Sequence, residues 1–535
     1  MERVALHTSR WPADDSEEVL ETTVAGVLRT AAERAPGAPA LVEGVADRDA
    51  RRRWTFAQLL EQSERAARAL LGRFQPGERV AVWANNIPEW LLLEYGCALA
   101  NLTLVTVNPA FRPRELAYVL GQSGSAGIFL VPEFRGNPMT ASLESVRPQL
   151  PALREVIHFG EWDSFLESGS PGQRLPRVTP DDVAQIQYTS GTTGFPKGAL
   201  LHHRGITNNS RFYFGRRGEP ARGPNVNPMP LFHASGSCMA ATGCLQYLDA
   251  HVLVPYFEPG MVLQVAESEG AAVLGAVPTM LIAMMEHPDF GGRDLSRLRS
   301  VVSGGSTVPA ELVRRVERAM GIDFTIVFGM TEASPVITQT WVDDTPEDKA
   351  GTIGQPLPCA EVEIVDPLSG ETVPCGEVGE LRVRGYQVMR GYHDRPAETA
   401  EAIVDGWLRT GDLCSMDERG YCRIEGRLKD MIIRGGENIY PREIEELLFA
   451  HPAVADVAVV GVPDDRWGEQ VAAFVRAAPG ERPTGEELVR LCREHLSPQK
   501  TPKVWVFVED FPLTASGKIQ KHVLKERFLE GGPPA

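Results

Sequence analysis

The sequence lacks several features that would assign it to a specialised class of protein. No stretch reaches the ~20 consecutive apolar residues that a membrane-spanning helix needs. The most apolar run, Ala271 to Met285, is interrupted by Pro278. Eight cysteines are scattered through 535 residues without any Cys-x-x-Cys pair. The net charge is -17, the opposite of the basic footprint of a nucleic-acid-binding protein. These absences argue against a membrane span, a disulfide or zinc framework, and a nucleic-acid partner.

The cysteine pattern and the first residues predict a cytoplasmic protein. Scattered cysteines in a long chain are typical of reduced, buried thiols. The segment from Met1 to Trp11 lacks the apolar core of a signal peptide, and we expect it to form a loose arm. The oligomeric state stays open.

The length and the residue pattern predict an α/β protein of more than one domain. A chain of 535 residues exceeds what one hydrophobic core holds. Thr55 to Gln58 has the pattern of a capping box at the start of an amphipathic helix. Arg79 to Trp83 and Leu102 to Val107 have the pattern of strands. Alternating strands and helices predict a largely parallel, buried sheet.

The pattern changes in the second half of the chain. Three alternating stretches from Glu361 onward predict a small β-rich subdomain: Glu361–Val365, Gly379–Arg384 and Tyr421–Ile424. Beyond it, a helix that begins at Pro441, a helix from Gly485 to Leu496, and strands at 457–460 and 504–508 predict a compact α+β lid. Residues 159–180 are polar and rich in Gly, Pro and Ser, which is typical of a linker.

The most informative stretch runs from Tyr188 to Gly198 and has the composition of a phosphate-binding loop. Its glycines allow the backbone to approach an anion, its hydroxyls add donors, and Lys197 adds a positive charge. It is not a Walker A loop, because Pro196 precedes Lys197. A surface turn would explain a shorter string of this kind equally well. The predicted phosphate-binding residues are Thr189, Ser190, Gly191, Thr192, Thr193, Gly194 and Lys197.

The full string resembles the phosphate loop of the adenylate-forming superfamily, which includes acyl-CoA synthetases, peptide-synthetase adenylation domains and luciferases. Further motifs follow in the superfamily's order: 229–236, 301–306, 326–332, 406–412, 426–441 and 512–521. The resemblance covers nearly the whole chain from about Ala25 onward. The stretch from Lys429 to Pro441 is most similar to medium-chain fatty acyl-CoA synthetases of the acyl-CoA synthetase family member 2 type.

This resemblance implies roles for residues around the bound nucleotide. Four are implied in catalysis: His233 beside the acyl pocket, Thr331 at the α-phosphate, Glu332 as the Mg²⁺ ligand, and Lys518 as the catalytic lysine. Phe328, where many relatives have tyrosine, would lie against adenine. The other implied nucleotide-binding residues are Gly304, Gly305, Ser306, Gly329, Met330, Asp412 and Arg427, the last two at the ribose.

The resemblance also implies two domains that move relative to each other. Residues 1–428 would form an AMP-binding domain with the acid, ATP and Mg²⁺ sites, and residues 429–535 a mobile lid with its hinge at Lys429. After the first half-reaction the lid would rotate and bring a second group of residues to the pantetheine channel of coenzyme A. This group is Arg434, Gly435, Gly436 and Glu437.

Several of these residues have plainer interpretations. His233 could be an ordinary core or loop histidine, Asp412 a turn former, and Lys518 a solvated lysine. The small residues from Ala234 to Gly243 could leave room for an apolar acid or simply permit close helix packing. Only the joint presence of the motifs favours the functional interpretation.

The implied function is an ATP-dependent ligase that joins a carboxylic acid to coenzyme A, with ATP, Mg²⁺ and coenzyme A as cofactors. A medium-chain fatty or similar apolar acid is the expected substrate. The nearest alternative is a stand-alone adenylating enzyme that loads a carrier protein. A luciferase-type monooxygenase and a non-catalytic nucleotide-binding protein are further alternatives, and pyrophosphate release would exclude the last.

Overall fold

The computed structural model describes residues 5–13, 17–189, 196–218, 223–306, 308–435, 437–464, 466–514 and 518–531, without the side chain of Asn438. The helices within these ranges are α1 Val24–Arg34, α2 Phe56–Leu71, α3 Pro88–Ala100, α4 Pro113–Ser123, α5 Met139–Val146, α6 Trp162–Glu167, α7 His203–Gly215, α8 Thr242–Tyr247, α9 Pro259–Glu269, α10 Pro278–Glu286, α11 Ala310–Met320, α12 Pro346–Gly351, α13 Pro396–Ala402, α14 Pro441–Phe449, α15 Gly485–His495 and α16 Lys521–Leu529. A π-helix spans Ser235–Ala241, and 3₁₀ turns span Arg147–Gln149, Phe159–Glu161, Phe290–Gly292, Thr331–Ala333 and Pro498–Lys500.

The strands in the same ranges are β1 Arg10–Trp11, β2 Pro39–Glu43, β3 Arg53–Thr55, β4 Arg79–Trp83, β5 Thr103–Val107, β6 Gly127–Leu130, β7 Glu155–His158, β8 Val183–Thr189, β9 Lys197–His202, β10 Asn225–Asn227, β11 His251–Leu253, β12 Val273–Gly275, β13 Ser300–Gly304, β14 Asp323–Gly329, β15 Val336–Gln339, β16 Gln355–Pro356, β17 Ala360–Val365, β18 Gly379–Gly385, β19 Ile403–Val404, β20 Trp407–Met416, β21 Cys422–Arg427, β22 Ile432–Arg434, β23 Glu437–Ile439, β24 Val454–Asp464, β25 Gly468–Ala477 and β26 Val504–Val508.

Two sheets with parallel centres form the bulk of the molecule and confirm the predicted α/β fold. The first has the order β7-β6-β4-β5-β8-β9, and only β9 runs antiparallel. The second has the order β16-β15-β14-β13-β12-β10-β11-β2-β3, with antiparallel strands at both edges. Central strands such as β5 are buried along their whole length, because helices cover both faces of the sheet.

The first long helices follow directly from local sequence signals. The predicted capping box at Thr55 is present: its side chain accepts from the Gln58 backbone, and the Gln58 side chain accepts from the Thr55 backbone. Asn86 is buried in the core, where its amide donates to the Met229 and Val254 carbonyls at 3.0 Å each. Every residue of helix α3 except Glu89 is buried, and the helix forms part of the main core.

Residues 5–13 of the amino-terminal segment do not form a loose arm, so that prediction was wrong for them. β1 pairs antiparallel with β17, with Arg10 opposite Glu363 and Trp11 opposite Val362. The Trp11 side chain is buried and anchors the segment. A Cβ atom on Gly420 would lie 2.1 Å from this ring, so the backbone of the β-rich sheet approaches the indole closely. The segment is thus held by the buried Trp11 side chain and by strand pairing with β17.

The linker predicted over residues 159–180 is also wrong in its first part. α6 occupies Trp162–Glu167, and Phe159, Trp162 and Phe165 pack around Phe129 with ring centroids 5.0 to 6.2 Å apart. These aromatic side chains bury enough apolar surface to order a segment whose overall composition is polar. The rest of the stretch carries no helix or strand.

The β-rich subdomain and the lid are both present as separate sheets. The order β1-β17-β18-β20-β19, with β21 beside β20, forms an antiparallel sheet. The lid sheet has the order β23-β22-β25-β24, with β26 beside β25, and carries α14, α15 and α16. α14 begins at Pro441 as predicted. The boundary at Lys429 stays a prediction; this residue lies between the end of β21 at Arg427 and the start of β22 at Ile432.

Two further observations bear on the class of protein. No helix in the described ranges is long and apolar enough to cross a membrane. All eight cysteines are described and none forms a disulfide, but Cys359 and Cys375 are half-buried instead of buried.

Candidate active site

A cavity of about 1690 Å³ lies where the parallel strands end, beneath the lid. Thr189, Gly275, Gly304 and Gly329 are the last residues of β8, β12, β13 and β14, and all four line it. The carboxyl edge of parallel strands is the usual place for a ligand in such sheets. The predicted site residues on its wall are Thr189, Lys197, His233, Gly304, Gly305, Ser306, Phe328, Gly329, Met330, Thr331, Glu332, Asp412, Arg427, Lys429 and Lys518.

The remaining predicted residues are not among the described residues of the wall. Ser190, Gly191, Thr192, Thr193, Gly194 and Gly436 lie outside the described residues. Arg434, Gly435 and Glu437 are not among the described residues of the wall, because the β22–β23 hairpin packs against Trp467. The Arg434 guanidinium carbon lies 5.1 Å from the centre of that ring, and the Gly435 N–H donates to the Trp467 carbonyl at 2.8 Å. The structure therefore holds Lys518 in the cavity and this hairpin away from it.

Asp412 and Arg427 form an ion pair on two neighbouring strands at one side of the cavity. They lie opposite each other on β20 and β21, and Arg427 Nε donates to Asp412 Oδ1 at 2.9 Å. Asp412 is 5% exposed, and burial raises its pKa against the opposing effect of Arg427. Asp412 is a strand residue and not a turn former. Its carboxylate has acceptor capacity beyond this single bond, which suits vicinal hydroxyls.

Lys518 enters the cavity from the lid and reaches the turn after β13. Its Cε lies 3.4 Å, and its Nζ 4.0 Å, from the position that a Cβ would occupy on Gly305. Burial, and then the charge of Arg427, lower the pKa of Lys518 to about 8, although Asp412 and Glu332 oppose this. The residue is thus a half-buried lysine close to two carboxylates and not a fully solvated one.

His233 lines the cavity as an uncharged group. Burial, and secondarily Lys518, lower its pKa to about 3, so the imidazole is neutral near physiological pH. Its Nδ1 lies 2.9 Å from Ser235 Oγ and accepts from the Ser235 N–H at 3.3 Å. A neutral ring can border a substrate, but it cannot supply positive charge to a phosphate.

The segment from Ala234 to Gly243 both leaves room in the cavity and permits close helix packing, the two alternatives that the sequence left open. Met239 and Ala240, on the π-helix, line the cavity and leave it room. Gly236 and Gly243 permit close packing instead, since a Cβ on Gly243 would lie 2.0 Å from the Phe214 ring. π-helical turns frequently occur at functional sites.

Tyr392 is a wall residue that the sequence patterns did not identify. Its hydroxyl donates to Glu332 Oε1 at 2.8 Å, and its ring centre lies 5.1 Å from Lys197 Nζ. The residue therefore contacts both the predicted metal ligand and the predicted phosphate-binding lysine. It follows a glycine in an irregular segment after β18, where no periodicity or charge pattern marks it.

Replacing Tyr392 by phenylalanine should lower the rate of pyrophosphate exchange roughly 10-fold at limiting Mg²⁺, because a hydrogen bond to a charged group is lost. The loss should shrink as free Mg²⁺ rises, while the melting temperature stays near that of the wild type. Tyr256→Phe, at an exposed tyrosine outside the described wall, is the control. A loss that does not depend on Mg²⁺ would contradict a role in positioning Glu332.

The donors at Glu332 fit Mg²⁺ in chemical type. Carboxylate and hydroxyl oxygens from Glu332 and Thr331 are hard ligands, and Mg²⁺ commonly binds one or two carboxylates together with substrate phosphates. No group of three His, Cys, Asp or Glu side chains within the described ranges could hold an ion alone. A metal ion bound here would therefore need phosphate oxygens as further ligands.

Comparison with known proteins agrees with this geometry. Residues 28–393 match the model of the AMP-binding enzyme family, and residues 443–518 match the AMP-binding enzyme C-terminal domain. A protein of Bacillus subtilis (strain 168), YngI, whose name provisionally describes an acyl-CoA synthetase, is 40% identical over 96% of this chain and 98% of its own length. The medium-chain acyl-CoA ligase ACSF2, mitochondrial, of Rattus norvegicus is 38% identical over 95% of this chain and 88% of its own.

A solved structure shows the same architecture. The anthranilate CoA ligase AuaEII in complex with anthranoyl-AMP superposes with a TM-score of 0.86 and 25% identity, covering 95% of this chain and 97% of that one. The matching family model spans more than half of the chain, and the relatives match it almost from end to end. The chain therefore belongs to the family of AMP-binding enzymes that includes the acyl-CoA synthetases.

Proposed function

We propose that this chain is an AMP-forming acid–CoA ligase acting on a medium-chain fatty or similar apolar acid. One observation carries the proposal: Lys518 from the lid, Glu332 and the Asp412–Arg427 pair all meet on one cavity wall. A nucleotide held there would have its ribose at Asp412 and its α-phosphate near Lys518. The ACSF2 relative is named a medium-chain acyl-CoA ligase, which supports the substrate class.

In the first half-reaction the acid attacks the α-phosphorus of ATP, and pyrophosphate leaves. The acid is already ionised near neutral pH, so no general base is needed. The difficulty is bringing two anions together, and Lys518 and Thr331, which both line the cavity, would stabilise the charge that develops. Mg²⁺ bound at Glu332 would neutralise phosphate charge. Lys197 binds the departing phosphates.

In the second half-reaction the thiol of coenzyme A attacks the acyl carbonyl of the adenylate, and AMP leaves. We propose that the lid, residues 429–535, rotates about Lys429 between the two steps. Rotation would withdraw Lys518 from the cavity and bring Arg434, Gly435, Gly436 and Glu437 to the thiol channel. The opposite placement of Lys518 and the β22–β23 hairpin relative to the cavity supports an alternation of this kind.

The apolar part of the cavity supports an apolar acid. Met239, Val277, Ile282, Val302 and Val336 line it, and the first of these comes from the π-helix beside His233. We propose a cytoplasmic location from the scattered, disulfide-free cysteines. The rat relative is named mitochondrial.

The proposal is tested by incubating the chain with MgATP and a panel of carboxylic acids, with and without coenzyme A. Acid-dependent release of pyrophosphate, and of acyl-CoA and AMP only when coenzyme A is present, is the expected result. Pyrophosphate release without acyl-CoA would favour the carrier-loading alternative. Failure to release pyrophosphate with any acid would overturn the proposal.

A further inference from the structure

The deep part of the cavity is bordered by a polar patch on one face of the nine-stranded sheet. Asn225 and Asn227 are two residues apart on β10, so their side chains project to the same face. Both line the cavity, and both are almost fully buried. Buried strands of a parallel sheet usually carry apolar side chains at such positions, so two asparagines here require an explanation.

The strand register extends this patch to three further polar residues. Asn225 lies level with His251 on β11, and through Val273 with Ser300 on β13. Asn227 lies one residue beyond the Val226–Leu274 pair, so it is level with Gly275 on β12. Gly275 pairs with Val302, and Val302 with Thr325, so Thr325 belongs to the same row. Residues level with each other in parallel strands project to the same face. The polar patch therefore consists of Asn225, Asn227, His251, Ser300 and Thr325, of which Asn225 and Asn227 are on the described cavity wall.

This face is the one that opens into the cavity. Gly275 and Val302 belong to the same row as Asn227, and both line the cavity. A Cβ atom built on Gly275 would meet no described atom within 4 Å, so the space in front of the sheet is open at this point. The side of β10 that carries the two asparagines is thus the side towards a bound acyl chain.

Hydrogen-bonding capacity in the patch is left unused. Asn227 Oδ1 accepts from the Met229 N–H at 3.0 Å, but Asn227 Nδ2 has no partner among the described residues. Ser300 Oγ and Thr325 Oγ1 likewise have no partner among the described residues, but they are not on the described wall. Leaving a buried polar group unsatisfied costs about 1 to 3 kcal/mol, so the unpaired Asn227 amide at the wall favours a ligand group that accepts its hydrogen bond.

The ligand group that fits the patch is uncharged. Burial lowers the pKa of His251 to about 4, so its ring is neutral. The described lysines and arginines on the cavity wall belong to β9, to β20 and β21, and to the segments from Lys429 onward, not to the strands of the patch. A second carboxylate at this depth would be buried without a counter-charge, which is very costly.

We propose that the acid carries a neutral hydrogen-bonding group, a hydroxyl or a carbonyl, near the distal end of its chain, and that Asn225 and Asn227 recognise it. The inference rests on the proposed function and narrows its substrate class. A site built to hydrogen-bond a substrate group rejects the analogue that lacks it far more strongly than an apolar pocket rejects an extra hydroxyl. The alternative occupant of the patch is ordered water, which would give no such preference.

The test compares matched pairs of acids with equal numbers of heavy atoms, one ending in a methyl group and the other in a hydroxyl group. The wild type should prefer the hydroxy acid by at least ~10-fold in kcat/KM for acyl-CoA formation. Asn227→Leu, which keeps the side-chain volume but removes the amide, should abolish or reverse that preference. Asn225→Leu provides a second variant in case loss of the Asn227–Met229 bond disturbs folding.

Asn85→Leu, at an asparagine outside the described cavity wall, is the control and should keep the wild-type preference. Wild-type preference for the methyl-ended acid, or an equal preference in wild type and both variants, would overturn this inference and leave the ligase function standing. Absence of acyl-CoA with every acid would overturn the proposed function, and the inference with it.

Discussion

Replacing Lys518 by alanine should lower the rate of acyl-adenylate formation by ~100-fold or more, the usual cost of removing one preorganised donor to a developing charge. The side chain is half-buried beside Gly305 and close to the Asp412–Arg427 pair, where its charge is only partly screened by water. Acid-dependent exchange of pyrophosphate into ATP measures this half-reaction. Thioester formation from supplied acyl-adenylate and coenzyme A should remain within a few fold of the wild type.

The pH dependence of the wild type and a control substitution at a second lysine of the lid make this prediction specific. The protonated lysine is the active form and its pKa is about 8, so adenylation in wild type should decline as pH rises through that value. The alanine variant should lack that decline. Lys525→Ala removes a lid lysine that pairs with Glu469 and is not on the described wall, and it should leave both halves unchanged. Equal losses in both half-reactions of Lys518→Ala would refute the alternation of the lid.

Replacing Gly435 by leucine should impair the second half-reaction and not the first, the reverse of Lys518→Ala. Thioester formation should slow on the order of 30- to 100-fold. Gly435 has φ +63°, which a side chain disfavours, and a Cβ would lie 2.8 Å from the Trp467 ring. The substitution thus strains the β22–β23 hairpin, which in the proposed alternation would face the thiol only in the second step. Pyrophosphate exchange, which uses the lid with Lys518 in the cavity, should stay close to the wild-type rate.

Gly480→Leu is the matched control, because Gly480 also lies in the lid with φ +82° but has no described atom within 4 Å of its Cβ position. It imposes the same kind of backbone penalty away from the hairpin. It should change the melting temperature more than either rate. If Gly435→Leu reduced both half-reactions equally, or if Gly480→Leu reproduced its effect, the hairpin would be an ordinary turn.

Local chemistry explains which parts of the fold could be predicted from sequence. The capping box at Thr55 and the proline at the start of α14 specify their helix starts through contacts within a few residues, and the structure confirms both. The docking of Trp11 depends on a strand edge far along the chain, which no local pattern reveals. The same applies to α6, whose order comes from packing against Phe129.

The candidate site also contains some residues that sequence motifs reveal and others that only the folded chain brings together. Glycine turns at the ends of β13 and β14 leave clear motifs, because a Cβ on Gly329 would lie 1.9 Å from the Pro335 carbonyl oxygen. Tyr392 and the polar patch are not marked by any sequence motif. Tyr392 reaches Glu332 across 60 positions in the chain, and the patch arises from strands whose order in the sheet differs from their order in sequence.

The pairing of β1 with β17 has a consequence for synthesis of the protein. Arg10 finds its partner Glu363 roughly 350 residues later, and β2 finds β11 roughly 210 residues later. At ~5–20 residues per second, the amino-terminal strand leaves the ribosome roughly 20 to 70 seconds before the strand that holds it. Throughout that interval Trp11 is without its native burial site. This segment is therefore synthesised long before it can reach its native contacts, and it joins the edge of the β-rich sheet once β17 has been synthesised.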